Sequence, residues 1–456
     1  MVEQVKQAVV TVKSSEGVGM RFVKAVSFAR GFVLVLAGLA GGAQAALPIE
    51  SWSLASGGRV MFMRAPAIPM VDIQVDFDAG SRREPPEKNG LASFTQSMLD
   101  KGAGGRKESD IEDALADVGA RMGGGSGADR ASFNLRTLTS AQELNRAVET
   151  LALVLQKPDF PADVLERERA RSIASIREAS TKPESIANKR FMALMYPGHP
   201  YGRSATEETV GRIAVEDLKR FYAENYTAKR AVVSIVGDLD RTQASRIAEQ
   251  LLAGLPAGVE PPALPALQMP AQVEERIAHP SSQSHILVGL PALQRGDPDF
   301  FPLVVGNYIL GGGGFVSRLM SEVREKRGLA YSAYAYFSPM VQLGPFEMGL
   351  QTQKDQTNTA LAVARETLNK FLQDGPTPKE LQAAKSNLVG GFPLRLDSNK
   401  KLLDQISTIG YYRLPEDYLD QWTAQVEKVT IAQIRDAFSR RVKPEHLVTV
   451  IVGQGS

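Results

Sequence analysis

The chain contains no cysteine. That excludes a disulfide scaffold, a cysteine-based zinc site, a catalytic thiol and a lipidated N-terminal cysteine. Histidine is scarce: 456 residues include four, His199, His279, His285 and His446. No two of them stand four residues apart, so a helical ligand pair is missing and the spacing matches no metal motif. They read as structural or surface histidines. Neither sign of charge is in excess, with 53 Lys and Arg against 51 Asp and Glu. That balance signals neither nucleic-acid nor anionic-membrane binding. No G-x-S-x-G elbow occurs; Gly123-Gly-Gly-Ser126-Gly127 lacks that spacing and reads as a loosened strand edge. The run Gly311 to Gly314 fits neither the phosphate-loop nor the dinucleotide-turn pattern, and reads as a flexible turn.

Long apolar runs are also missing, apart from the short stretch Gly31-Phe-Val-Leu-Val-Leu-Ala-Gly-Leu-Ala40. Arg21, Lys24 and Arg30 precede it, and Ala43-Gln44-Ala45 follows with a small-x-small pattern. This reads as an export signal cleaved near Ala45. The run is too short to cross a bilayer core, which takes ~20 residues. Residues 1–19 precede the basic region awkwardly, so Met20 competes with Met1 as the start. The expected mature protein begins near Ala46, is soluble, needs no membrane after signal removal and is periplasmic. A protein without cysteine needs no oxidative folding there.

The length is too great for one ordinary core, so two or three domains are expected. An internal repeat supplies the division. Val215-Glu-Asp-Leu218 through Tyr222 leads into Ala231-Val-Val-Ser-Ile-Val-Gly237; Ile431-Ala-Gln-Ile434 through Phe438 leads into Leu447-Val-Thr-Val-Ile-Val-Gly453. Subtracting 237 from 453 gives 216, and that offset pairs Val215 with Ile431 and Tyr222 with Phe438 without a gap. Each copy is an amphipathic helix running into a β-branched strand that stops at glycine. The sequence is therefore a duplication. Between the copies, Pro256, Pro261, Pro262, Pro265 and Pro270 form a stiff linker. The expected organisation is a signal segment over 1–45, an N-terminal lobe over 46–255, a linker over 256–272 and a C-terminal lobe over 273–456.

Within the first half, Val71, Ile73, Val75 and Phe77 alternate with Asp72, Gln74 and Asp76, predicting a half-buried strand. Gly57-Gly58 predicts a hairpin before it. Helices are expected over 109–118 and 142–155. Strands grouped with helices, without strict βαβ alternation, point to an α+β fold: two homologous lobes, each a mixed sheet with helices on one face.

After the first strand comes Ala79-Gly-Ser-Arg-Arg-Glu-Pro-Pro-Glu-Lys-Asn-Gly90-Leu-Ala-Ser93-Phe-Thr-Gln96-Ser97. Further on stand Glu166-Arg-Glu-Arg169, Tyr196-Pro-Gly-His-Pro-Tyr-Gly202, Leu310-Gly-Gly-Gly-Gly314 and Arg324-Glu-Lys-Arg-Gly-Leu-Ala-Tyr331. At these points the chain resembles the pitrilysin/insulinase-type zinc peptidases. The family carries H-x-x-E-H on the helix after that first turn, where two imidazoles grip zinc and the glutamate activates water. The matching positions here are Ser93, Gln96 and Ser97. The family's remaining ligand, a glutamate on a later helix, falls at Ala174 or beside it at Ser175. Hydroxyl, amide and methyl groups can neither hold zinc nor act as general base, so no metal is expected in this chain.

What the resemblance leaves is an arginine–tyrosine pair, Arg324 and Tyr331, which similar proteins use from the lobe opposite the zinc to hold substrate carbonyls. Leu319, Val323 and Arg327 are expected on one helix starting at Phe315, with Gly328 closing it and Tyr331 opening a strand. Gly312, Gly313 and Gly314 match a segment that faces the substrate chamber in the family. The resemblance thus implies a zinc-less subunit that positions unfolded peptides, paired in a heterodimer with a homologous zinc-binding partner. A structural or peptide-holding core-type protein with no part in proteolysis is the alternative.

Overall fold

The protein was analysed as a computed structural model, which describes residues 48–258 and 260–453. The export signal expected over residues 1–45 lies outside them. No helix among the described residues is long and apolar enough to cross a membrane.

The first sheet contains β1 (Glu50–Ser53), β2 (Arg59–Arg64) and β3 (Met70–Phe77). A separate two-stranded ribbon follows, β4 (Gly102–Ala103) with β5 (Arg106–Lys107). β6 (Arg121–Ser126), β7 (Ala131–Leu138) and β8 (Val232–Gly237) complete the sheet, in the order β1-β2-β8-β3-β7-β6. The second sheet contains β9 (Val273–Ala278), β10 (Gln283–Leu293), β11 (Ala330–Phe337), β12 (Gly344–Gln353) and β13 (Val448–Gly453), ordered β11-β12-β10-β13-β9. The expected hairpin is the β1–β2 turn, where Gly57 takes φ 85°, a conformation glycine adopts without strain. The two expected helices appear as Glu108–Ala116 and Ala141–Gln156.

The duplication is visible in the pairing. β8 lies between parallel β2 and antiparallel β3, and β13 lies between parallel β9 and antiparallel β10. Outward from there, β3-β7-β6 and β10-β12-β11 are antiparallel in both sheets. Among the described strands of the two large sheets, β1 alone lacks a counterpart. The described linker residues, 256–258 and 260–272, carry no helix or strand, but they are tethered: Arg83 donates to the Pro262 carbonyl at 2.9 Å and His446 engages the Pro270 carbonyl at 2.7 Å.

One face of each sheet packs against helices of its own half. Val60, Phe62, Val71, Ile73, Val233 and Ile235 join that core in the first half. The opposite face is covered by a helix from the other half. Helix Asn399–Tyr411 lies across β8, β3 and β2, while helix Pro183–Met195 lies across β13 and β10. Subtracting 183 from 399 gives 216, so the exchanged helices obey the repeat. Glycine permits each approach. A Cβ at Gly410 would stand 2.5 Å from Met61 Cγ, and one at Gly289 would stand 3.0 Å from the Phe191 ring.

This exchange corrects the half-buried reading of β3. Asp72, Gln74 and Asp76 are all buried, because the incoming helix covers their face. Each finds partners, as burial demands. Arg136 donates to both oxygens of Asp72 at 2.7 and 3.2 Å; Ser132, Arg130 and Gln74 donate to Asp76. Burial still raises the Asp76 carboxyl above its ordinary value, against the pull of Arg130.

Candidate functional site

The turn before the first candidate helix is fixed by an acid. Glu84 is buried and accepts the N–H groups of Gly90 at 3.1 Å and Ala92 at 2.7 Å, two donors that the helix start leaves free. Burial pushes the Glu84 carboxyl up to about 7, although those two N–H groups and Arg203 favour its ionised form. Helix Leu91–Met98 follows. Ser93 and Ser97 are exposed on it, and the Ser97 hydroxyl donates to the Phe94 carbonyl at 3.2 Å. Gln96 is buried with its amide nitrogen so close to β6 that a Cβ at Gly124 would stand 2.5 Å from it. The glycines of Gly123-Gly-Gly125 thus sit on an edge strand, one of them making room for that amide. Ala174 is exposed on helix Ala162–Ala179. Among the described residues no three His, Cys, Asp or Glu side chains are grouped to hold a metal. Two hydroxyls, an amide and a methyl do not fit zinc, which takes imidazole, thiolate or carboxylate.

The four histidines are engaged separately. His199 meets Gln342 at 2.5 Å, His279 meets the Thr181 carbonyl at 3.1 Å, His285 meets Gln351 at 3.2 Å, and His446 meets Pro270. Burial lowers the pKa of His199 and of His285, so both tend to neutrality.

Arg324 and Tyr331 do meet. The Arg324 guanidinium carbon lies 4.7 Å from the Tyr331 ring centroid and 4.7 Å from that of Phe315. The helix that carries Arg324 differs from the expected one. It starts at Arg318, after a 3-10 turn over Gly314–Val316 and an extended Ser317, and is widened into a π-helical segment over Met320–Glu325. Such segments are common at functional sites. Leu319 and Val323 are buried as expected, whereas Arg327 is exposed and pairs with Glu322 at 2.6 Å. Gly328 closes the turn at φ 62°, with its N–H donating to the Arg324 carbonyl at 2.8 Å.

Tyr331 sits in a β-bulge. Ala330 pairs with Thr352 and Ala333 with Leu350, so β11 spends one residue more than β12 between those pairs. A bulge re-aims a side chain, and Tyr331 is 83% exposed. It borders a cavity of about 200 Å³ lined also by Glu184, His285, Tyr334 and Gln351. Behind it, Tyr334 and Tyr336 stack with centroids 5.4 Å apart and donate to Glu347 at 3.2 and 2.8 Å. Burial raises the Tyr334 phenol to about 12, keeping it protonated.

Gly312 and Gly313 close a π-helical turn over Tyr308–Gly312, in which they pack on the preceding turn. A Cβ would stand 2.7 Å from Asn307 Nδ2 at Gly312 and 2.6 Å from the Tyr308 carbonyl oxygen at Gly313, while Gly314 takes φ 61°.

A second cluster escaped the sequence reading. Asp129, in the β6–β7 turn, is 4% exposed and accepts four side-chain or backbone donors. Tyr201 and Arg82 reach one oxygen at 2.6 and 3.3 Å; Tyr412 and the Val341 N–H reach the other at 2.9 Å each. Its backbone carbonyl accepts the Tyr411 hydroxyl at 2.6 Å. Tyr196 donates to the Leu343 carbonyl at 3.0 Å. The Tyr196–Gly202 loop is therefore part of the seam between the two halves. The spacing of its aromatics gave no hint of a partner more than a hundred residues away.

These features define a class: a two-lobed α+β protein whose helix Leu91–Met98 offers no metal ligand and whose Arg324 and Tyr331 lie together. Comparison with known proteins gives the family. The profile described as "Insulinase (Peptidase family M16)" matches residues 59–209, and "Peptidase M16 inactive domain" matches residues 212–388. A solved structure of a peptidase M16 inactive domain from Pseudomonas fluorescens superposes with TM-score 0.84 at 35% identity, covering 90% of this chain and 98% of the other. The chain belongs to peptidase family M16. It is 26% identical to an uncharacterised zinc protease of Streptomyces coelicolor, over 86% of this chain and 88% of the relative. It is 24% identical to a non-peptidase homologue of Helicobacter pylori, over 84% and 89%. The second half is of the family's inactive-domain type, and the ligand positions of the first half do not fit zinc.

Proposed function

We propose that this chain is the substrate-positioning subunit of a heterodimeric zinc peptidase, exported to the periplasm. Its partner, a homologue retaining the zinc ligands, supplies metal and base; this chain supplies donors. The observation that carries the reading is Arg324 stacked on exposed Tyr331, with no ion pair to its guanidinium among the described residues. A guanidinium without a carboxylate partner keeps its N–H edge available, and the phenol adds another donor. Aimed at a peptide carbonyl, both would strengthen as negative charge develops on that oxygen during water attack. β11 is also an edge strand, so an extended peptide added to it would run beside the pair and bind through main-chain hydrogen bonds without sequence choice. Unfolded peptides are the substrates that mode admits.

The test is to assay this chain, a zinc-ligand-bearing homologue and their mixture on an unfolded protein such as reduced, carboxymethylated α-lactalbumin. The mixture is expected to cleave it while this chain alone does not. Cleavage by the mixture that survives Arg324→Ala and Tyr331→Phe would overturn the assigned roles. A mixture no more active than its components would favour a structural or peptide-holding protein.

A further inference from the structure

Phe315 is 63% exposed and lies beside Val316, which is 75% exposed, so two large apolar side chains stand in water together. Burial does not explain Phe315; the ring's close neighbour is the Arg324 guanidinium at 4.7 Å. Tyr331 covers that guanidinium at the same distance. A cation over an aromatic face is attracted by the ring quadrupole. Two rings beside the guanidinium restrict its motion, and among the described residues no carboxylate pairs with its N–H groups.

The backbone explains how Phe315 arrives there. The π-helical turn over Tyr308–Gly312 packs Gly312 against Asn307 and Gly313 against Tyr308, where a side chain would be obstructed, and Gly314 ends it with a left-handed φ. Ser317 is buried and locks the turn, donating to the Gly314 carbonyl from both its hydroxyl at 2.8 Å and its N–H at 3.0 Å. The glycine run therefore delivers a phenyl ring to the arginine.

We propose that Phe315 is a positioning residue that clamps Arg324 against Tyr331 and so fixes the direction of its N–H edge before the peptide arrives. The proposal rests on the reading of Arg324 as a peptide-carbonyl donor. A long arginine side chain loses much rotamer freedom when it binds. Fixing it beforehand removes that loss from the binding step.

The experiment measures binding of fluorescein-labelled, reduced and carboxymethylated α-lactalbumin to the full chain by anisotropy. Phe315→Ala and Phe315→Leu should each weaken binding about tenfold, and Phe315→Tyr or Phe315→Trp should restore it to within about twofold. Thermal melting should not move, because the ring is exposed. In an Arg324→Ala background, Phe315→Ala should have no further effect, the signature of action through the arginine. Wild-type binding by Phe315→Leu would overturn the proposal, since bulk would then suffice. Equal losses with and without Arg324 would overturn it differently, by showing that the ring touches peptide directly. If Arg324→Ala alone binds as wild type, the donor reading itself falls, and the clamp falls with it.

Discussion

The two halves of this molecule share a plan and differ in what was kept. Both sheets pair in the same order, both end a helix–strand unit at glycine, and each lends a helix to the other at an offset of 216 residues. Yet the helix Leu91–Met98 in the first half presents hydroxyls and an amide where family peptidases present metal ligands, while the second half keeps a cation 4.7 Å from the centroids of two rings. The scaffold survives chemical loss in one lobe because packing, not metal, holds it. Gln96 packs against β6, and Glu84 fixes the helix start. Stability and chemistry are separable here.

The largest expected effect comes from reversing that difference. Ser93→His, Gln96→Glu, Ser97→His and Ala174→Glu together should take the chain from no retained zinc to one zinc per chain, measured by metal analysis after dialysis. Stoichiometric zinc in the unaltered chain would break the contrast between the lobes outright. Next in size, Arg324→Ala should lower kcat of the mixture with a zinc-bearing homologue by about 10²–10³-fold, the usual consequence of removing one oxyanion donor. Tyr331→Phe should act in the same direction with folding unchanged.

The seam between the halves gives the third prediction. Asp129 has all four of its lone-pair directions engaged, by Tyr201 and Arg82 from its own half and by Tyr412 and Val341 from the other. Asp129→Ala leaves Arg82 short of a buried partner and should cost about 3–5 kcal/mol in urea unfolding. A loss confined to peptide cleavage, with stability intact, would show that the seam serves the site and not the fold.

Much of the architecture was legible because it is periodic. Repeated β-branched strands ending at Gly237 and Gly453 announced two lobes, and the proline run announced the join. Arg324 and Tyr331 were legible through a motif, and Gly328 through its left-handed conformation. The helix exchange was not. Alternation in β3 says that two faces differ, but not what covers the polar one, and Asp72, Gln74 and Asp76 read as solvent-facing until a distant helix is placed over them. Phe315 was hidden for a related reason. A phenylalanine directly after a glycine run reads as the start of a helix, whereas the helix breaks at Gly313 and a 3-10 turn over Gly314–Val316 leaves the ring exposed beside a guanidinium. Local pattern fixes elements; partners far along the chain decide what they touch.

The smallest effect sharpens the comparison by asking what it costs to hold the chemically emptied helix in place. Glu84 is buried under the first turn, and its carboxyl is raised from an ordinary 4.5 to about 7. Burial dominates the two backbone hydrogen bonds that favour its ionised form. A carboxyl raised on folding binds its proton more tightly in the native state. Its contribution to stability is therefore complete below about pH 4.5 and fades as pH rises through about 7. Across that window the loss should be at most about 3 kcal/mol. Asp76 and Asp100 shift in the same direction, so the wild-type curve alone would mix the three. Glu84→Gln isolates the first: glutamine can still accept the Ala92 N–H but carries no charge to desolvate. Urea unfolding at steps from pH 4.5 to 8 should show the wild type losing stability relative to the variant. Curves that stay parallel would mean that the ionised acid is tolerated at no cost.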